Sequence, residues 1–583
     1  MKINKIGSRV LLNTLLITVV MLQGTAWCEG FKEPKSPVKK IIPPDAPSIT
    51  LSGSVGSVDF RYERDSFPKL PESTDCSFIA WRGERVHGQF LIWTGTGLKD
   101  VTLSTTDLEN TSGAVIPAKC VVPFYVRYTL GKGRLLGDIL EPAKPIDIPA
   151  VSTRPIWLSI NVPGDAAAGI YSGKLKVKDA VGHSIDFNLK LEVLSNTLPP
   201  PKDWSFHLDL WQHPWAVARI HGLKPWSKEH WAKLKEVLTL AANAGQKCLT
   251  TSIINRPWGQ QTYDAFGPMI KPTRKADNSW IYDYSLFDKY VKFGFQCGIN
   301  KQINCYTMVP WGNTFYYQDE ASGEYKKITA KPGTAAYNDY WRPFLKDFTS
   351  HLKKKGWFEI TTIAMDERHL EDMKNMIALV DSASPDFKIT LAADRNLSTI
   401  IDRVHDYCFK LKFKPDATLN LKREKEGKHT TFYVCCHPKR PNTFTFSPPA
   451  ESTWLGWHAA SKRYSGFLRW ALCSYNKDPF KTTDDKWPTG DSFLIYPGPL
   501  SSIRFERMRE GIQDYEKIRV LRETFEEQNE GGKEHMADLD AILQTIANSN
   551  HTKIVNKAKK DLTELTRRAA ITDIEQKNSP DKK

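Results

Sequence analysis

The pattern of the sequence changes at Pro199-Pro200-Pro201. Upstream, polar and apolar residues alternate. Lys174 to Lys178 alternates, and so does Ile185-Asp186-Phe187-Asn188-Leu189-Lys190-Leu191-Glu192-Val193, with one face apolar and the other polar. Turns such as Pro163-Gly164-Asp165 and Val181-Gly182-His183 bound these runs. Period-two alternation of this kind predicts half-buried antiparallel strands, and residues 48–198 are predicted to form a β-sandwich. Downstream, short apolar runs alternate with longer helical stripes, as βα units around a parallel sheet require. Strand-like runs fall at 205–210, 248–254, 302–308, 359–365, 388–392, 405–409, 431–435 and 466–472. Eight such runs over about 300 residues predict a (β/α)8 TIM-type barrel spanning 199–503. Stripes such as Trp231, Leu234, Val237, Leu238 and Ala241 supply the intervening helices.

The flanks read differently. From Arg504 onward one helical stripe runs through Phe505, Met508, Ile512, Tyr515, Ile518 and Leu521. Gly531-Gly532 is expected to break it, Met536 to Ile546 to resume it, and a third helix to follow near 554–565, so that 504–575 forms a helical segment. Residues 576–583 are predicted to be a disordered tail. At the other end, Lys2, Lys5 and Arg9 precede the apolar run from Val10 to Leu22, and Gly24-Thr25-Ala26 offers small residues for cleavage. Residues 1–26 thus predict a secretory signal, and the Pro- and Lys-rich residues 27–47 a linker. Cys28 raises a lipid anchor as an alternative, against which Trp27 directly before it argues. The expectation is an exported protein, periplasmic or at the cell surface, with no transmembrane segment after residue 30.

Among 583 residues, 40% are hydrophobic and 25% charged, the balance of a soluble globular protein. The 18 Trp and 20 Tyr suit a protein that stacks sugar rings, although core packing accounts for most large aromatics. The formal charge of +15 is compatible with anionic partners, but the basic residues are dispersed, and much of the excess falls in the two tails. No nucleic-acid-binding motif is present, and no nucleic acid partner is expected. The 10 Cys match no zinc spacing and include no C-x-x-C; buried free thiols are expected, with a Cys76–Cys120 disulfide left open.

In a barrel the chemistry sits at the C-terminal ends of the strands. The fourth strand-like run ends in Ile363-Ala364-Met365-Asp366-Glu367. Two adjacent carboxylates disfavour joint ionisation, so one keeps a proton near neutral pH while the other stays charged, the acid-plus-anion pair that glycoside hydrolysis uses. The competing reading is that Asp366 caps the helix that follows. Neighbours on a regular strand point to opposite faces, so joint action on one sugar predicts a bulge or turn at the pair. Other strand ends bring candidate substrate-binding residues to the same rim: Asp209 and Trp211 from the first, Asn255 from the second, Tyr306 from the third, Tyr433 from the seventh and Trp470 from the eighth. For each aromatic, core packing is the alternative. His207, His213 and His437 raise a metal-dependent hydrolase as a further alternative, but no H-E-x-x-H spacing supports it, and neither metal nor cofactor is expected.

The Asp366-Glu367 strand end, the preceding sandwich, and the late segment Gly490-Asp491-Ser492-Phe493-Leu494-Ile495-Tyr496-Pro497-Gly498 followed by Ser502-Ile503-Arg504-Phe505-Glu506-Arg507-Met508-Arg509-Glu510-Gly511-Ile512-Gln513-Asp514-Tyr515-Glu516 together resemble glycoside hydrolase family 123. The resemblance implies a retaining, exo-acting β-N-acetylgalactosaminidase that removes terminal β-linked GalNAc from glycolipid-type glycans. It implies Glu367 as general acid/base and Asp366 as the residue that holds the substrate's 2-acetamido group. In such substrate-assisted hydrolysis the acetamido oxygen is the nucleophile. A tyrosine, Tyr433 or Tyr306, is expected to bond that oxygen, and Trp470 or Trp211 to floor the pocket. A β-N-acetylglucosaminidase or broader hexosaminidase would use the same pair. A non-catalytic carbohydrate-binding protein would keep the fold without needing the pair.

Overall fold

The computed structural model describes residues 32–37, 48–395, 397–413, 415–528, 530–549 and 553–578. The signal-like residues 1–26, Cys28, most of the 27–47 segment and residues 579–583 lie outside them. No helix among the described residues is long and apolar enough to cross a membrane.

Two antiparallel-rich sheets face each other in the N-terminal part. One runs in the order Ser52–Gly56, Arg85–Thr94, Ser152–Asn161, Val121–Gly131, Arg134–Pro142. The other contains Asp75–Arg82, Ser184–Thr197, Gly169–Lys178, Leu98–Thr105 and Ile146–Ile148. The alternation read in the sequence places Phe187, Leu189, Leu191 and Val193 inward, where Phe187 meets Phe90 of the opposite sheet at 5.0 Å between ring centroids. Residues 32–37 are more than a linker. Glu33 is inserted into a cage of Arg154, Arg127 and Arg64, at 2.6, 2.8 and 3.2 Å. Burial opposes the charge, but the three guanidinium groups outweigh it and hold the Glu33 carboxyl down to about 2. Cys76 and Cys120 are free thiols, so the disulfide left open by the sequence is absent.

The barrel strands are β1 (His207–Leu210), β2 (Cys248–Ser252), β3 (Gln302–Tyr306), β4 (Thr361–Met365), β5 (Lys388–Ala393), β6 (Asp406–Lys410), β7 (His429–Tyr433) and β8 (Gly466–Arg469). Neighbours pair in parallel from β2 round to β8 and on to β1, while β1 meets β2 through a single parallel bridge, Leu208 to Gln246. The barrel is nearly closed. Strands covered on both faces must be apolar or internally satisfied along their whole length, and β2, β3 and β4 are buried at every position. Closure also depends on Gly466, where an added Cβ would stand 2.0 Å from the His207 carbonyl oxygen. Two connections depart from a regular alternation. A 3₁₀ turn at Ser398–Ile400, rather than a helix, links β5 to β6. The loops after β2 and β3 carry two antiparallel hairpins, Lys271–Arg274 with Trp280–Asp283 and Thr314–Asp319 with Tyr325–Thr329, which join into a four-stranded sheet.

Three helices follow β8: Ile503–Glu527, Glu530–Ala547 and Lys553–Asn578. Gly531-Gly532 does not break the chain between helices; it lies in the first turn of the second. A Cβ on Gly532 would stand 2.2 Å from the Phe525 carbonyl oxygen, so glycine allows the second helix to start against the end of the first. The last helix reaches Asn578, three residues into the stretch expected to be disordered.

The candidate active site

β4 is buried throughout and delivers its C-terminal end to the open face of the barrel. The strand stops at Met365, Asp366 leaves it, and Glu367 sits in a bend before the helix Leu370–Ala383. The bend lets both carboxylates border one pocket of about 130 Å³. Asp366 does not cap the helix: the N-cap position is His369, without a side-chain cap. Its Oδ1 instead accepts the Glu367 backbone N–H at 2.8 Å, which holds the bend.

The two acids stand in different surroundings. Asp366 is buried, and burial pushes its carboxyl up to about 6; the Arg368 charge pulls it down and the Glu367 charge adds to the rise. Arg368 is itself buried, donates to the Glu367 carbonyl oxygen at 2.8 Å and lies 4.5 Å over the Trp311 ring. The Glu367 side chain is 28% exposed and opens into the pocket. Its Oε1 accepts the Tyr433 hydroxyl at 2.5 Å and lies 3.7 Å from Lys410 Nζ. Trp470 and Trp487 form another wall, edge to face at 5.9 Å. Behind that wall Asp491 is fully buried; its Oδ2 accepts the Trp470 Nε1–H at 3.2 Å, and its Oδ1 pairs with Arg469 at 2.5 Å. Arg469 in turn donates to the Val434 carbonyl oxygen at 2.8 Å, next to Tyr433. A second cavity of about 210 Å³ continues past Trp470, Trp487 and Gln261. Two carboxylates, one buried and one open, between aromatic walls are equipped to protonate a glycosidic oxygen and stabilise a cationic sugar.

The chain matches the glycoside hydrolase 123 catalytic domain over residues 211–521 and the glycoside hydrolase 123 N-terminal domain over 55–179. It belongs to glycoside hydrolase family 123. A solved family 123 glycoside hydrolase from Clostridium perfringens, described as hydrolysing glycolipid glycans, superposes with a TM-score of 0.82 at 26% identity, over 90% of this chain and all of that one. A putative glycoside hydrolase from Bacteroides vulgatus reaches a TM-score of 0.31 at 10% identity, over 77% of this chain and 79% of its own. Among curated proteins no sequence matches.

In this family 123 glycosidase, five of the eight residues expected at the site line the pocket: Asp366, Glu367, Trp211, Tyr433 and Trp470. The other three do not. Asp209 is buried one layer below, where its Oδ2 accepts Trp211 Nε1–H at 3.3 Å and Asn304 Nδ2–H at 2.9 Å. Its bond to Trp211 links it to the pocket wall. Burial, and then the Asp406 charge, push its carboxyl up to about 7. Tyr306 ends β3 fully buried, packed against Trp211 and Trp258 at 4.7 and 4.8 Å. Asn255 lies in the bend after β2 and does not line the pocket. Tyr433 bonds Glu367 rather than standing free for an acetamido oxygen.

Trp311, Gln261, Trp487, Asp491 and Lys410 were not assigned as site residues from sequence. Asp491 carried a signal, since it sits in the Gly490-Asp491-Ser492-Phe493 stretch of the family resemblance. Gln261 and Trp487 reach the pocket from loops whose course no periodicity predicts. The three histidines raised for a metal do not converge. The described residues bring together His207, Cys248 and Asp406 at the opposite, N-terminal end of the strands, with His207 Nε2 2.9 Å from Asp406 Oδ2. Gln302 Nε2 also donates to that oxygen at 3.0 Å, as in a buried polar network.

Proposed function

We propose that the protein is an exported, retaining exo-β-N-acetylgalactosaminidase acting on terminal β-linked GalNAc of glycolipid-type glycans by substrate-assisted catalysis. The observation that carries this is the pairing at the end of β4: a buried Asp366 beside an open, tyrosine-held Glu367 in one aromatic pocket. The family and the described activity of the Clostridium perfringens relative support the substrate class. The acetamido oxygen attacks the anomeric carbon, an intramolecular step with a large proximity advantage. Asp366, ionised above about pH 6, accepts the acetamido N–H and stabilises the positive charge of the oxazolinium-like intermediate. Glu367 gives its proton to the glycosidic oxygen and then takes one from the water that opens the intermediate. Tyr433 and Lys410 stabilise the carboxylate left after the proton departs. Trp470, fixed by Asp491, is positioned to stack on the sugar.

The test is release of 4-nitrophenol from the β-GalNAc and β-GlcNAc glycosides by wild type, Glu367→Gln and Asp366→Asn. Hydrolysis of the GalNAc glycoside that collapses by about 10²-fold or more in both variants is the expected result. Loss in Glu367→Gln alone would remove Asp366 from its role. Preference for the GlcNAc glycoside would reassign the specificity, and no hydrolysis of either would favour a binding protein.

A further inference from the structure

Cys435 and Cys436 follow β7 after Val434 and border the catalytic pocket beside Glu367 and Tyr433. They are adjacent in sequence, both free and both half-buried, with their Sγ atoms 3.7 Å apart. Five of the other described thiols are buried, and the remaining two, Cys76 and Cys120, sit on the sandwich. Nothing in the hydrolytic chemistry requires a thiol.

We propose that this pair is a redox-modification site, closing into a vicinal disulfide at the expense of a low-molecular-weight disulfide and thereby turning the pocket off. The pair is poised for the first step. The two sulfurs lie within hydrogen-bonding distance, and their contact favours thiolate at Cys436 and holds the proton on Cys435. The Lys410 charge works in the same direction at Cys436. The Cys436 thiolate attacks one sulfur of the small disulfide, forming a mixed disulfide and releasing one small thiolate. Cys435 then loses its proton to that thiolate and attacks the Cys436 sulfur. The second small thiolate leaves and takes a proton from solvent. The protein pair has lost two electrons, and one small disulfide has become two thiols.

A disulfide needs its sulfurs about 2.05 Å apart, so these must approach by roughly 1.6 Å. The adjoining chain is tethered: Asn442 Nδ2 donates to the Cys435 carbonyl oxygen at 2.8 Å and to that of Pro438 at 2.7 Å. Movement in Val434-Cys435-Cys436 is therefore passed to Tyr433, whose hydroxyl holds Glu367. Displacing a catalytic group by about 1 Å costs on the order of 100-fold in rate.

The experiment incubates the full-length protein with oxidised glutathione and follows two readouts. Peptide mass is expected to show the 435–436 segment lighter by two hydrogens, without a retained glutathione. Glycosidase activity is expected to fall at least about tenfold and to return with dithiothreitol. Cys436→Ser, compared with its own reduced state, should show no redox-dependent change, whereas Cys435→Ser should retain a glutathione adduct on Cys436 that closure cannot release. In the wild type, a pair that stays dithiol, that stops at the glutathione adduct, or that closes without altering activity overturns the proposal, as does undiminished redox sensitivity in Cys436→Ser. The mass readout needs no substrate, so a mistaken sugar specificity would not be confused with failure of the switch.

Discussion

Asp366 and Glu367 are neighbours in sequence and opposites in environment. The burial that raises proton affinity falls on Asp366, whereas the general acid/base role implied by the family resemblance falls on Glu367. Adjacency alone cannot say which of two acids is buried; the bend after Met365 decides it. The folded-state value of about 6 lies above the ordinary 3.8, so this group favours folding at low pH, and its contribution is lost as pH rises through that interval. The rise is equivalent to roughly 3 kcal/mol. Asp366→Asn is therefore expected to raise the melting temperature at pH 7–8, and to leave it nearly unchanged below about pH 4, while abolishing activity. Thermal melts at both pH values check this, and destabilisation at pH 8 would contradict it. Because the proposed role needs the charged form, kcat/KM of the wild type should fall as pH drops through about 6. A rate profile flat down to pH 4.5 would exclude ionised Asp366 from the mechanism.

At the scale of elements, the strands were legible because short runs containing apolar residues alternate with longer helical stripes, as βα units require. The hairpins after β2 and β3 were not, since Lys271–Arg274 and Trp280–Asp283 are short, half-exposed and without clean alternation. Nor could the sequence show that Asp209 and Tyr306 stay beneath the pocket floor: one residue along a short strand separates the barrel interior from its rim. Helix contacts were hidden in glycines. The helix Pro449–Lys462 crosses Ile503–Glu527 so closely that a Cβ on Gly456 would stand 1.9 Å from the Gly511 carbonyl oxygen. Gly456→Ala is expected to cost at least about 2 kcal/mol, because neither backbone can give way, and denaturant unfolding measures it. An unchanged midpoint would mean that the two helices are free to separate.

At the scale of the molecule, the late segment that carries the family resemblance proves to be chiefly an interface. Its apolar stripe was legible; its charged residues face inward rather than to water. Arg504 pairs with Asp138 of the sandwich at 2.9 Å, both fully buried, and Asp138 also receives Arg61 at 3.1 Å and the Tyr496 hydroxyl at 2.8 Å. Arg507 reaches Asp59 at 2.7 Å, and Glu506 meets Arg85 and His87, each at 3.3 Å. Buried charges persist only when paired, so these contacts specify how the sandwich seats on the barrel. Asp138→Ala strands two buried guanidinium groups and is expected to cost about 3–5 kcal/mol. It should also uncouple sandwich from barrel, turning one calorimetric transition into two. A single transition at the wild-type temperature would show that the network is dispensable.

The central claim is that the substrate's own acetamido oxygen is the nucleophile and that Asp366 steers it. The most direct measurement is kcat/KM for 4-nitrophenyl β-GalNAc analogues whose N-acetyl group carries zero, one, two or three fluorines. Each fluorine withdraws electrons from the attacking oxygen, so the rate should fall steeply and monotonically along the series. Equal rates across the series would contradict substrate assistance and require a nucleophile from the protein.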